Sequence, residues 1–210
     1  SGAQYLKERV GGRTGIGRDV AAVQDTFRKI FNIERLAADG SQFDRLFADD
    51  DTFSIGQLEG RVLHTPGHTP ACMTYVIGDA AFVGDTLFMP DFGTARTDFP
   101  GGSATRLYDS IQKILALPDD TRLFMCHDYK APDRDEFAWE TTVAEQRKHN
   151  VHINDAVSKD EFVSMREERD SQLGMPKLIL PSLQVNLRAG NLPDPEDNNV
   201  RYLKIPLDAV

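Results

Sequence analysis

Three short segments rich in metal-binding side chains constrain this chain more than anything else in its 210 residues: His64-Thr-Pro-Gly-His68, Gly84-Asp85-Thr-Leu and Cys126-His127-Asp128-Tyr129. Each follows an apolar run of strand character, Leu58–Leu63, Ala80–Val83 and Leu123–Met125. A fold that gathers the ends of those strands at one edge of a sheet would hold imidazoles and a carboxylate around one ion. The turn before His68 is stiff, because proline fixes one dihedral and glycine accepts a positive one. Asp85 ends a buried-type strand, where a carboxylate is costly unless paired or coordinated. His68, Asp85 and His127 are therefore the expected metal ligands, and His64 is expected to support the turn by a hydrogen bond. Cys72 and Cys126 flank ligand positions and read as small buried thiols rather than ligands. His149 and His152 lie in a polar stretch after a helix and read as solvated. A cluster of this kind needs at least one more histidine, and none precedes His64.

Between these segments the chain alternates strand and helix patterns, which predicts an α/β fold. Strands are expected at 52–55, 58–63, 73–77 and 80–83, the last two joined by the Gly78-Asp79 turn. Leu107, Ile111, Ile114 and Leu115 make the apolar stripe of a helix ending before Pro118. Helices are also expected behind Asp19 as N-cap, through 141–147, and from Ser158, where Glu161 completes a capping box. From Pro181 onward prolines recur, and the chain is expected to run as an extended segment, 181–210, packed on a domain formed by 1–180.

With 40% hydrophobic and 27% charged residues, this is the composition of a soluble globular protein. The net charge of -9 argues against nucleic acid as a partner, since phosphates are neutralised by clustered Lys and Arg. No apolar run is long enough to span a bilayer, and no membrane partner is expected. Two cysteines make no disulfide framework, so a cytoplasmic location is the simpler expectation.

The ligand segments in this order resemble the metallo-β-lactamase superfamily, and within it the persulfide dioxygenases, relatives of glyoxalase II. The resemblance runs through Phe82-Val83-Gly84-Asp85, Ala95-Arg96-Thr97-Asp98-Phe99 and His127-Asp128-Tyr129-Lys130 to Asn186-Leu187-Arg188-Ala189-Gly190. The Arg-Thr-Asp-Phe segment is the piece that generic hydrolases of the superfamily lack. It is similar as well to bacterial proteins called β-lactamase-like hydrolases.

The resemblance implies an αββα sandwich whose first strands, with the His-x-His-x-Asp-His signature, would lie before Ser1. It implies an Fe(II) centre in which His68 and Asp85 are ligands and His127 stands close by. Arg96 and Tyr129 would be catalytic and substrate-binding residues, and Lys130 would help to hold an anionic thiol. The substrates would be dioxygen and a low-molecular-weight persulfide, that of glutathione first among them, with sulfite and thiol as products. A homodimer is expected on the same ground. The alternatives are a zinc-dependent thioester hydrolase of the glyoxalase II kind and a catalytically inactive remnant of such a metal site.

Overall fold

The structure, a computed structural model, describes residues 2–207 and divides the chain into two compact units. One comprises 1–47 with 174–210, the other 48–173. This differs from the expected division at residue 180.

In the first unit, helix α1 (Ala3–Val10) and strand β1 (Gly15–Gly17) precede helix α2 (Val20–Ile30) and strand β2 (Arg45–Phe47). The two strands pair in parallel. Phe27 and Phe31 of and after α2 stack at 6.1 Å and pack with Leu36 and Leu187 as a small core. Asp19 precedes α2 as expected but makes no side-chain capping bond. The last helix of the chain, α6 (Ile179–Asn186), belongs to this unit and corrects the expected extended run from Pro181. Proline is tolerated there because the first-turn N–H groups have no intrahelical acceptor. The first such bond in α6 is donated by Ser182 to the Leu178 carbonyl, just beyond the proline.

The second unit carries the six-stranded sheet: β3 (Thr52–Ile55), β4 (Leu58–His64), β5 (Met73–Ile77), β6 (Ala80–Phe82), β7 (Arg122–Phe124) and β8 (Glu140–Thr142), in that spatial order. Helices α3 (Ala104–Leu115), α4 (Val143–His149) and α5 (Lys159–Ser171) complete it. Period-two alternation sorts the strands into two faces. The cross-strand row Val76, Ala81, Leu123 joins Leu107, Ile111 and Ile114 of α3 and Phe162 of α5 in the main core. The opposite row holds Tyr75, Phe82 and Phe124; the last two rings stack at 5.2 Å, and Phe82 is 44% exposed. Ser103 caps α3, and Ser158 with Glu161 forms the expected capping box of α5.

Strand direction is what positions the site. β4 runs antiparallel to β5 and β5 antiparallel to β6, so β4 and β6 point the same way; β6 and β7 pair in parallel. The C-terminal ends of β4, β6 and β7 therefore share one edge, and each is followed by one of the ligand-rich segments. The connection from β6 to β7 contains α3, as a parallel pair requires.

A buried polar cluster fixes the loop after β6. Asn150 is fully buried: its Oδ1 accepts from the N–H groups of His152 and Ile153, and its Nδ2 donates to Gly93 O and Gln146 Oε1. His152, expected at the surface, is only 8% exposed, and its Nδ1 accepts from Thr94 N–H at 3.0 Å. Polar neighbours that read as solvated flanks in the sequence are here the hydrogen-bond partners of loop backbone. His149 does lie at the surface, facing Glu145.

Burial, reinforced by Arg169 and Arg166, pushes the His152 imidazole down to about 4 from 6.5. The unfolded chain thus binds a proton in that interval that the folded chain does not. The cost is absent above about pH 6.5 and is incurred as pH falls toward 4, reaching about 3 kcal/mol. Urea unfolding from pH 7 to pH 4 is expected to show this loss, and His152→Gln is expected to flatten the dependence over that range.

Candidate metal centre

Each ligand-bearing segment is held by its strand and by something else. After β4, Thr65 to Gly67 turn the chain back over α3. Ser103 N–H donates to Gly67 O, and Ser110 Oγ donates to Pro66 O at 2.6 Å. Gly67 has φ +148°, and a Cβ there would lie 2.4 Å from the Leu107 Cα. His64 supports the turn as expected, its Nε2 donating to Pro70 O at 2.8 Å. Because the obstacle at Gly67 is helix backbone, Gly67→Ala is expected to destabilise by about 3 kcal/mol, read as a shift of the urea midpoint.

His68 then enters the site with its ring oriented. Its Nδ1–H donates to Arg96 O at 2.8 Å, which leaves Nε2 as the nitrogen with the free lone pair. The Phe99 ring stands edge-on to it at 5.2 Å, and the Arg96 guanidinium lies over Phe99 at 4.9 Å. Arg96 is itself held bidentately by Asp98, with Nε to Oδ1 at 2.6 Å and Nη2 to Oδ2 at 2.5 Å. This pairing raises the Arg96 pKa and lowers that of Asp98. Thr97 is anchored through its N–H and hydroxyl to Asp170, which pairs with Arg166; both partners of that ion pair are about 95% buried. So the 96–99 segment is a supported cradle for one imidazole.

Asp85 follows β6 after Val83 and Gly84, whose φ of +55° turns the chain out of the strand. Its Oδ2 lies 4.0 Å from His68 Nε2, and its Oδ1 lies 3.5 Å from His127 Nε2 and 3.3 Å from Cys126 Sγ. The three expected ligands are therefore brought together, with the carboxylate between the two imidazoles. Cys126, read as a core thiol, is exposed and donates to Asp85 instead. The residue is exposed as a whole, but its sulfur is turned in against Asp85, and that desolvation together with the Asp85 charge pushes its thiol pKa up. Imidazole nitrogens, a carboxylate and a thiol in one cluster are the donor types that a divalent transition metal takes.

Tyr129 lies beside His127, ring centroids 5.7 Å apart, and also packs on Phe88 and Phe92. Burial and the Asp85 charge raise its hydroxyl pKa. Lys130 places its ammonium over the Phe137 ring at 4.6 Å. A pair not singled out from sequence shapes this loop. Asp128, its side chain 5% exposed, accepts from Arg134 and from the N–H groups of Lys130 and Ala138, and Arg134 also grips Asp91. The Arg134 charge holds the Asp128 carboxyl well below the usual range. Only the six-residue separation of the two charges hinted at it. Among the described residues no helix is long and apolar enough to cross a membrane.

The chain is 59% identical to a probable metallo-hydrolase of Burkholderia pseudomallei, covering all of this chain and 75% of the relative. It is 57% identical to the beta-lactamase hydrolase-like protein of Xylella fastidiosa, again over its whole length, but it spans only 48% of that protein. Human mitochondrial persulfide dioxygenase ETHE1 is 35% identical over 75% of this chain and 58% of its own length. Among solved structures, ETHE1 from Myxococcus xanthus superposes with a TM-score of 0.72 at 30% identity, covering 91% of this chain and 72% of that one. The family profile of the metallo-beta-lactamase superfamily matches residues 1–127, and on these findings the chain belongs to that superfamily and has its mixed α/β fold.

Proposed function

We propose that this chain carries the metal centre of an iron(II)-dependent persulfide dioxygenase acting on glutathione persulfide or a similar low-molecular-weight substrate. The observation that carries the reading is the cradle of His68. The Arg96–Phe99 segment, which set the dioxygenase resemblance apart in the sequence, supplies both the acceptor for His68 Nδ1 and the ring against it. The identity with human persulfide dioxygenase and the likeness to the Myxococcus protein support it.

His68 Nε2 and an oxygen of Asp85 would hold the ion, a nitrogen and oxygen set suited to iron(II). When bound, iron would supply the dioxygen activation that redox-inert zinc does not offer. The chain's own residues do the positioning. The Arg96 carbonyl keeps the His68 proton on Nδ1, the Asp85 carboxylate offsets positive charge, and Tyr129 packs on His127. In the overall reaction, persulfide, dioxygen and water give thiol, sulfite and two protons. The S–S bond breaks, the outer sulfur is oxidised, and dioxygen is the electron acceptor.

Iron-loaded protein in an oxygen electrode is expected to consume one dioxygen and form one sulfite per glutathione persulfide. No uptake from fully loaded protein would reject the reading. In the same assay Arg96→Ala is expected to raise KM roughly tenfold, the loss of one charge-assisted hydrogen bond to substrate. An unchanged KM would leave Arg96 as the partner of Asp98 and support of His68.

One observation favours a second reading, a zinc thioester hydrolase. Both oxygens of Asp85 are flanked, by His68 on one side and His127 on the other, as suits a carboxylate shared by two ions. That enzyme would release free thiol from an acylated glutathione without oxygen uptake.

A further inference from the structure

Two loops meet at Tyr129, and a single guanidinium ties one to the other. The loop after β6 closes on itself, Phe88 N–H donating to Gly93 O at 3.0 Å and Phe92 N–H to Met89 O at 2.8 Å, and Asp91 lies within it. Arg134, in the loop after β7, donates through Nε and Nη2 to the two Asp91 oxygens at 2.7 and 3.1 Å. Its Nη1 and Nη2 also reach the two oxygens of Asp128, at 2.6 and 2.8 Å. One fork thus makes two bidentate pairs, and only the pair with Asp91 crosses between the loops. With the Asp91 side chain 40% exposed, that pair adds little to overall stability. What it ties down is the corner that holds Tyr129. The Phe88 and Phe92 rings approach Tyr129 from the first loop at 5.6 and 5.2 Å, and His127 lies at 5.7 Å on its own loop. Among the described residues no hydrogen bond holds the Tyr129 hydroxyl, and the residue is 59% exposed. Packing between the loops therefore sets the ring, and the hydroxyl is left for a ligand.

We propose that Asp91, acting through Arg134, is a positioning residue for Tyr129 and so sets how tightly the site takes its substrate. Phe88 and Phe92 flank Asp91 on one loop, while Tyr129 and Arg134 share the other. With the pair made, the rings of the first loop are held against Tyr129. With it broken, Asp128 still grips Arg134 and the Ala138 N–H, so the loop after β7 keeps its own shape and only its link to the first loop is lost. The loss falls on Tyr129 and spares the ligand positions of His68 and Asp85. The proposal rests on the persulfide reading for what the hydroxyl binds; the placing of the ring does not depend on it.

The test replaces Asp91 rather than Arg134, since loss of Arg134 would leave the buried Asp128 carboxylate without its partner. Iron-loaded protein is assayed with glutathione persulfide in the oxygen electrode. Asp91→Ala is expected to raise KM about three- to tenfold, the effect of one hydrogen bond, with kcat, iron content and urea midpoint unchanged. Partial unfolding would instead lower kcat and leave KM alone. Tyr129→Phe is expected to raise KM by a similar factor, and the double variant no further than Tyr129→Phe alone. An unchanged KM in Asp91→Ala, or two effects that multiply, would overturn the proposal. A second readout needs no turnover. Protein labelled with 3-fluorotyrosine carries five labels, and the fluorine resonance missing from Tyr129→Phe is that of Tyr129. It is expected to shift in Asp91→Ala while the others stay in place. If the parent protein consumes no dioxygen, the persulfide reading falls and this resonance decides alone: unmoved, it overturns the role of Asp91.

Discussion

Asp85→Ala is expected to purify without metal, and the parent protein is expected to carry it in near-stoichiometric amount, both read by plasma mass spectrometry. The carboxylate is the hub of the cluster, since His68, Cys126 and His127 each approach one of its oxygens and it supplies the negative charge that favours a cation. Its removal should weaken binding by more than the roughly 10–100-fold that loss of an outer support costs. Stability of the metal-free protein should change little, because the carboxylate side chain is one-third exposed and the strand before it stays intact. Full metal content in Asp85→Ala would overturn the ligand assignment.

The second large effect is one of folding. Asp170→Ala is expected to destabilise by about 3–5 kcal/mol in urea unfolding, because Arg166 would be left as an uncompensated buried charge. The N–H and hydroxyl of Thr97 would lose their acceptor in the same substitution. Thr97 follows the residue whose carbonyl holds His68, so the damage should reach the metal. In conditions where the variant remains folded, its affinity for metal is expected to fall as well. An intact affinity together with lost stability would confine Asp170 to a structural role. Replacing Arg166 and Asp170 together by apolar residues is the informative companion, since removal of both charges costs less than removal of one.

How much of this was legible in the sequence depended on the range of the interactions involved. Strands β3 and β5 were expected at their observed limits, and the Gly78-Asp79 turn, helix α3 and the Ser158–Glu161 box followed from local rules. Strands β1 and β2, three residues each, carry too few side chains to show alternation, and their pairing joins Gly15 to Arg45 across the intervening α2. Pro181 was misread because a proline signals a break everywhere except in a first turn, where it stands. That His68, Asp85 and His127 come together was legible because each follows the end of a strand. His152 was not, because what buries it is the loop at Gly93 and Thr94, 58 residues earlier. The donor role of Cys126 toward Asp85 was equally hidden, since it depends on backbone that leaves the strand pattern.

The parallel pairing of β6 and β7 sets different tolerances within the cluster. Asp85 and His127 each stand three residues beyond Phe82 and Phe124, the last paired residues of neighbouring strands whose backbones the sheet spaces at about 4.8 Å. The sheet therefore fixes where the two ligand-bearing segments leave it, and that starting separation alters only if the pairing of the two strands breaks. His68 is carried on a turn, and its orientation depends on one carbonyl and one aromatic ring. The cluster thus resembles a vice with one fixed jaw and one adjustable jaw. Drift in the 96–99 segment would regrade the size and kind of ion accepted while the Asp85–His127 side stayed constant, so divergence in metal preference among relatives of this chain should be written at the cradle of His68 rather than in the sheet.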